Sequence, residues 1–388
     1  MIKKVFFKNI IFYNFNTKDL KKKIVEKKLF VFPSGYGLAS IDKNNRQLDS
    51  FIKVNYGLSD IKVWKVEGPF DSSYSLSILN RCFTEALSQK VKHTSLKVTE
   101  GPGDYEPNVE FLRNYPKIFS IYNNSLNDKN IIDVVSRNLY PPRVDDMNSR
   151  FNLLHSYGWE ESEFPKKWVN DFNNHLQGIT VMSMQVKKIL IDNGVSIPIH
   201  VAGLGLDHIG KILPDDSINI SLRKFKILHI SSCFPRKGID ILLKAYAKVF
   251  NNNDDVSLLI KTFNNPHNNV DELLEQERRG NSNFPHVELL KNDLTDAQIK
   301  ALYLNSDLFI APSRGEGFGL PLGEAMYLRL PVITTAWGGQ LDFCNNDNSW
   351  LIDFHYVPSK SHFNLDNSYW AEPSVNHLAS LISQVYTS

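Results

Sequence analysis

The sequence predicts an α/β protein made of two doubly wound domains, each a parallel sheet covered by helices. Three observations predict it. The chain has 388 residues, more than a single domain of about 150 residues requires. Short apolar runs of strand length alternate with segments of helical spacing, in two successive series. Between the series, residues 206–224 lose the pattern and contain Pro214-Asp215-Asp216, which reads as a linker.

Residues 1–60 carry a short charged helix pattern over 19–28 and a strand pattern over 29–32 closed by Pro33, but no sustained periodicity. They are set apart as a basic N-terminal extension. The first domain spans 61–205, with strands expected at 61–67, 95–99, 131–135, 151–155, 179–183 and 199–202. Helices are expected at 75–87, where Leu76, Leu79, Phe83 and Leu87 share a face, and at 165–176 and 185–193. The second domain spans 225–388. Its strands are expected at 226–231, 256–262, 287–290, 308–311, 332–335 and 350–352, and its helices at 238–250, 270–279, 295–305, 322–328 and 375–386. In such domains ligands bind outside the carboxyl ends of the strands, so two of them face a shared cleft.

Composition narrows the function. Hydrophobic residues make up 42% and charged residues 22%, as in ordinary folded proteins. No uncharged apolar run of 18 residues appears, which excludes a transmembrane helix. Met1–Phe15 is broken by Lys3, Lys4 and Lys8 and does not read as a secretory signal. Cys82, Cys233 and Cys344 are widely spaced, which supports neither a disulfide framework nor a cysteine zinc site and favours a cytoplasmic location. The net charge is +2, but residues 1–61 hold 12 Lys/Arg against 5 Asp/Glu while the rest is mildly acidic. A nucleic-acid partner is not indicated. The basic extension suits either a solvated Lys-rich surface or peripheral contact with the anionic inner face of a membrane.

The chemistry concentrates in Pro312-Ser313-Arg314-Gly315-Glu316-Gly317-Phe318-Gly319-Leu320-Pro321-Leu322-Gly323-Glu324-Ala325-Met326. A buried strand ends in a glycine-rich turn and opens a helix, with Pro321 suited to its first turn. The N–H groups of Phe318, Gly319 and Leu320 and the helix dipole make an anion site suited to phosphate, and Gly317 and Gly319 permit close backbone approach. Glu316 precedes this site and Glu324 follows it by about one helical turn. A ligand with a central diphosphate would meet one carboxylate at each end. Ionised carboxylates only accept hydrogen bonds, which matches sugar and ribose hydroxyls.

EGFGLPLGEAM resembles the donor-site motif of retaining glycosyltransferases of the GT-B fold, family 4. KILHISSCFPRKGIDILLKA (226–245) is similar to the first strand, basic loop and helix of that family's donor domain. GPFDSSYSLSILN (68–80) is similar to the nucleotide-facing loop and helix of its acceptor domain. HSYGWEESEFP (155–165) and VITTAWGGQLDFC (332–344) resemble bacterial members that build surface polysaccharides.

The resemblance implies two Rossmann-like domains facing a cleft. It also implies transfer of a hexose, with retention, from a nucleotide-diphosphate sugar to a growing glycan or lipid-linked glycan. It implies that Glu316 meets donor-sugar hydroxyls, Glu324 the ribose and Lys237 the diphosphate. Where the family has an arginine six positions before that lysine, this chain has Ser231. Arg236 or Arg314 could supply the second charge, or be surface cations. Gly68, Ser72 and Ser73 could approach a phosphate, with Ser72 or Ser73 capping a helix before Tyr74. His155 is the candidate for a functional histidine beside the donor sugar, and equally for a structural one. Glu160 and Glu161 could bind acceptor hydroxyls or form a surface acid pair. Residues 263–267 would lie beside the nucleobase and Trp337, Gly338 and Gly339 beside the sugar, while Trp350 packs in the core.

No Asp-x-Asp pair occurs, so neither a metal nor another cofactor is expected, and the helix terminus with Lys237 would do a metal's work. Two other readings remain: a glycoside hydrolase using Glu316 and Glu324 as acid and base, and an inactive GT-B scaffold. The family ends with a helix crossing back to the first domain. Here that crossing is expected to be short or absent, as in a piece of a longer protein.

Overall fold

The computed structural model describes residues 61–388; the expected basic extension, 1–60, lies outside the described residues. The described chain forms two compact units. The first comprises 61–157, 166–182 and 190–205, and the second 158–165, 183–189 and 206–388. The division is therefore not a single cut near residue 205, because two short segments of the expected first domain belong to the second unit.

In the first unit, β1 (Val63–Gly68), α1 (Ser75–Leu87), β2 (His93–Glu100), β3 (Gly103–Asp104), α2 (Val109–Arg113), α3 (Pro116–Ser125) and β4 (Val134–Arg137) follow in turn. Then come β5 (Phe151–Tyr157), α4 (Lys166–His175), β6 (Gly178–Val181), α5 (Met184–Asp192) and β7 (Ile199–Val201), with the start of α5 counted in the second unit. The sheet order is β3-β2-β1-β4-β5-β6-β7, parallel except for β3. Val66 pairs with Leu96 on one side and Ser136 on the other. β1 alternates in sequence, and its Glu67 is buried because it accepts from the Arg137 guanidinium at 2.8 Å. Trp64, Val66, Phe70, Phe83, Leu87, Leu96 and Leu112 form the core, and the Trp64 indole donates to the Ser136 hydroxyl at 2.8 Å.

The second unit contains α6 (Asp207–Gly210), β8 (Phe225–Ile230), α7 (Ile239–Val249), β9 (Val256–Lys261), α8 (Val270–Gly280), β10 (Val287–Leu290) and α9 (Asp296–Leu304). It continues with β11 (Leu308–Ala311), α10 (Leu320–Tyr327), β12 (Val332–Thr335), β13 (Trp350–Ile352), β14 (Phe354–Pro358), β15 (Tyr369–Pro373) and α11 (Val375–Thr387). Its parallel sheet runs β10-β9-β8-β11-β12-β13, and β14 and β15 form an antiparallel hairpin. All six residues of β9 and all four of β11 are buried. Leu242, Tyr246, Leu258, Ile260, Leu308, Ile310, Leu378 and Ile382 share one core. A capping box of Thr295 and Gln298 sets the start of α9.

The strand order reverses between β8 and β11, where the crevice of an open sheet forms. The loops leaving these strands are tied together. The Arg314 amide donates to the Arg236 carbonyl at 2.6 Å, the Arg314 guanidinium to the Pro235 carbonyl at 2.6 Å, and the Arg236 guanidinium to the Gly315 carbonyl at 3.1 Å. Gly238, at φ 69°, starts α7 here. A Cβ on it would lie 2.0 Å from the Pro312 carbonyl oxygen.

Gly238→Ala should therefore combine left-handed strain with a backbone clash and cost about 2–4 kcal/mol. The expected outcome is a clearly lower urea midpoint, whereas an unchanged midpoint would show that the loops need not touch.

Candidate active site

The loop after β8 begins at Ser231. The neighbouring His229 imidazole meets the Ile310 carbonyl through Nδ1 at 2.7 Å and the Ser231 hydroxyl through Nε2 at 2.7 Å. A carbonyl only accepts, so Nδ1 carries the proton of the neutral ring and Nε2 accepts from Ser231. The Cys233 amide donates to the same hydroxyl at 3.0 Å. Ser231 stands at the expected arginine position, but its proton is committed to His229 and it offers a phosphate no donor.

Lys237 follows, in a short turn of 3-10 helix over Pro235–Lys237. Its ammonium donates to Glu316 Oε1 at 2.6 Å, and the Ser313 hydroxyl donates to the same oxygen at 2.7 Å. Arg236 lies 3.8 Å from Glu316 Oε2 and 3.1 Å from Glu160 Oε1. Burial alone would raise the Glu316 carboxyl, but Lys237 and Arg236 outweigh it and hold the group below its usual range. Burial, with Arg236 alongside, pushes the Lys237 ammonium down. The structure thus brings together three residues that the sequence marks, as an ion pair flanked by a second cation.

Helix α10 starts at Leu320, two residues before the expected start, with Gly319 as its left-handed cap residue at φ 85° and Pro321 in the first turn. No side chain caps it. Gly319 and Leu320 supply backbone at this end. Phe318 adds backbone only, because its ring packs on Phe343 at 4.9 Å. Gly317 is held from behind, where the Gly339 amide donates to the Glu316 carbonyl at 2.7 Å and a Cβ on Gly339 would lie 2.0 Å from the Gly317 oxygen.

Glu324 is buried one turn further on. Its Oε1 meets His208 Nε2 at 2.6 Å and its Oε2 accepts from the Tyr303 hydroxyl at 2.8 Å. His208 lies on α6, inside the segment expected to be a linker. Sequence reading missed both partners: His208 sits in a stretch without periodicity, and Tyr303 reads as an ordinary core position of α9.

Arg314 is corrected. Its guanidinium makes two 2.8 Å bonds to Asp240 and further bonds to Glu372, so it braces the loop rather than waiting for a phosphate. Glu161 is buried and accepts from the Ser359 and Ser368 hydroxyls at 2.7 and 2.8 Å. That makes it a strut of the segment 158–165, not an exposed acid.

In the first unit, Gly68 ends β1 at φ 152°, and a Cβ on it would lie 2.4 Å from both the Asn138 carbonyl oxygen and the Asn80 amide nitrogen. Ser72 does not cap α1, whose cap residue is Tyr74. Its hydroxyl instead meets Ser77 at 2.8 Å. His155 is 2% exposed, stacks on Phe83 at 4.2 Å, and meets Asn80 Oδ1 through Nε2 at 2.9 Å. The Asn80 amide nitrogen donates to the Pro69 and Asn138 carbonyls, so Nε2 is the protonated nitrogen and Nδ1 is left as a bare acceptor. No described residue pairs with that Nδ1.

Burial pushes His155 down to about 3. His229 is pushed to about 4, mainly by burial, with Lys237 adding and the Ile310 bond opposing. Both rings are neutral when folded and bind protons when unfolded. Their contribution is complete above the ordinary value of 6.5 and is lost as pH falls towards the folded values. Between pH 6.5 and 5, each should cost about tenfold in the folding constant per pH unit. Urea melts across this window should show the loss, and His155→Gln should make it shallower. A profile identical to wild type would mean that His155 is not buried neutral.

Residues 215–360 match the family model described as glycosyl transferases group 1. The chain is 30% identical over 161 residues to an MMP alpha-(1->4)-mannosyltransferase of Mycolicibacterium hassiacum, covering 41% of this chain and 37% of that one. It is 29% identical over 140 residues to a capsular polysaccharide biosynthesis glycosyltransferase, CapM, of Staphylococcus aureus, covering 35% of each. The matches span little more than a third of either relative's length. Among solved structures, a sucrose-phosphate synthase of Thermosynechococcus elongatus aligns with a TM-score of 0.59 and 16% identity, covering 84% of this chain and 90% of that one. Together these findings show a chain with the α/β, parallel-sheet GT-B fold, whose residues 215–360 are similar to glycosyl transferases group 1.

Proposed function

We propose that the chain transfers a hexose from a nucleotide-diphosphate sugar to a growing glycan or lipid-linked glycan of a surface polysaccharide (lipopolysaccharide, capsule or a related polymer), retaining the anomeric configuration. One observation carries the reading. The ends of β8 and β11 hold a buried Lys237–Glu316 pair with Arg236 alongside, next to the uncapped start of α10, and Glu324 lies one turn beyond.

Each part has a task in this reaction. Lys237, Arg236 and the α10 terminus meet the diphosphate, whose charge grows as the glycosidic bond breaks. The reading invokes no metal. As Lys237 turns to the phosphate, Glu316 becomes free to accept donor-sugar hydroxyls. Glu324 takes the ribose hydroxyls. The acceptor hydroxyl attacks from the face that the leaving group departs, and the departing phosphate takes its proton. His155 is proposed as a neutral acceptor for a sugar hydroxyl through Nδ1. Exclusion of water would suppress hydrolysis of the donor. Peripheral contact with the inner face of a membrane through residues 1–60 belongs to the proposal; no helix among the described residues is long and apolar enough to cross a membrane.

A glycoside hydrolase needs one carboxyl to be protonated as general acid. The cations beside Glu316 oppose that, and no geometry of the site favours the hydrolytic reading or the inactive scaffold.

Lys237→Met should lower kcat about 100-fold or more, a larger factor than that by which it raises donor KM, as for loss of a group that binds the diphosphate and acts most strongly on transition-state charge. Steady-state assays with UDP-, GDP- and ADP-sugars check this. Wild-type kcat in the variant, or release of sugar from an oligosaccharide without any nucleotide, would overturn the reading.

A further inference from the structure

We infer that His208 and Tyr303 are positioning residues that set the preference of the site for a ribonucleotide donor over a 2′-deoxyribonucleotide one. The inference rests on Glu324 being the ribose carboxylate.

A carboxylate has about four acceptor positions, two on each oxygen. At Glu324 the protein fills one position on each: His208 Nε2 on Oε1 at 2.6 Å and the Tyr303 hydroxyl on Oε2 at 2.8 Å. One position on each oxygen remains open to a further donor. Vicinal 2′ and 3′ hydroxyls present two donors, one for each oxygen. The two protein donors also fix the rotation of the carboxylate plane, so the remaining pair points in one direction. A single donor would leave that plane free to turn.

Both donors are held by rigid structure. Tyr303 is buried on α9 and its ring packs on Phe309. His208 sits on the short helix α6, which is strapped down on either side. Leu206 packs where a Cβ on Gly323 would meet it at 3.4 Å. The Lys300 ammonium donates to the Gly210 and Ile212 carbonyls at 3.3 and 2.7 Å, and the Asp215 amide donates to the Ala297 carbonyl at 3.1 Å. Residues 206–215 therefore present His208 to Glu324 as part of the second unit.

The test compares binding of a nucleoside diphosphate and its 2′-deoxy analogue by calorimetry on the same samples, so that the ratio is independent of the fraction folded. Wild type should favour the ribonucleotide about tenfold, as expected for a hydrogen bond to a charged group. Glu324→Gln should abolish the preference. His208→Ala and Tyr303→Phe should each cut the ratio at least about threefold, and His208→Gln, which keeps an N–H donor, should restore most of it. If Glu324→Gln abolishes the preference while His208→Ala and Tyr303→Phe retain it, the positioning role is wrong. If wild type shows no preference, or Glu324→Gln keeps it, the ribose reading itself is wrong.

Discussion

The close apposition of two loops, 231–238 after β8 and 312–319 after β11, is the constraint on which the site depends. Three main-chain-anchored hydrogen bonds join them, and Gly238 lets the backbone approach Pro312 where no side chain would fit. Arg314 reinforces the join by bridging Asp240 and Glu372. Without this join, Lys237 from one loop and Glu316 from the other would have no reason to meet. With it, two opposite charges sit 2.6 Å apart in a buried setting. A buried pair is weak evidence of added stability, because desolvation offsets attraction. Its presence at the reversal point of the sheet supports the proposal that these charges serve a ligand.

The same logic extends along α10. An uncapped helix start is a modest electrostatic asset. It becomes specific here because one carboxylate precedes it and another follows, each held by defined donors. Glu316 has Lys237 and Ser313; Glu324 has His208 and Tyr303. The two acids resemble each other in sequence but not in partners. One is paired with cations, and the other accepts hydrogen bonds from a ring N–H and a hydroxyl.

Much of this was legible in the sequence. The strand β11 is buried along its whole length and reads as a continuous apolar run, and β9 does so except at Ser257 and Lys261. Glu316 and Lys237 were marked by the resemblance and Arg236 was one of two candidates for the second charge; the three meet in the structure. The helix α10 starts two residues before the expected 322, with Pro321 in its first turn as the sequence suggests. The hairpin β14–β15 was invisible because its exposed Tyr356 and Tyr369 break any strand-like apolar pattern. In the first unit, α3 buries only Ile118 and Tyr122, too few to mark a helix face. Arg314 was misread because its carboxylate partners lie 74 and 58 residues away, and local pattern cannot report such contacts. His208 was passed over for the same reason, at 116 residues from Glu324.

The central claim is that the ends of β8 and β11 and the start of α10 form one diphosphate site. Calorimetric titration of the ligand-free chain with UDP, GDP and ADP, and with the corresponding nucleosides as controls, tests it most directly. The account predicts saturable one-to-one binding of at least one diphosphate, much weaker binding of its nucleoside, and loss of that difference in Lys237→Met. Equal binding of diphosphate and nucleoside, or no binding of any of the three, would contradict it.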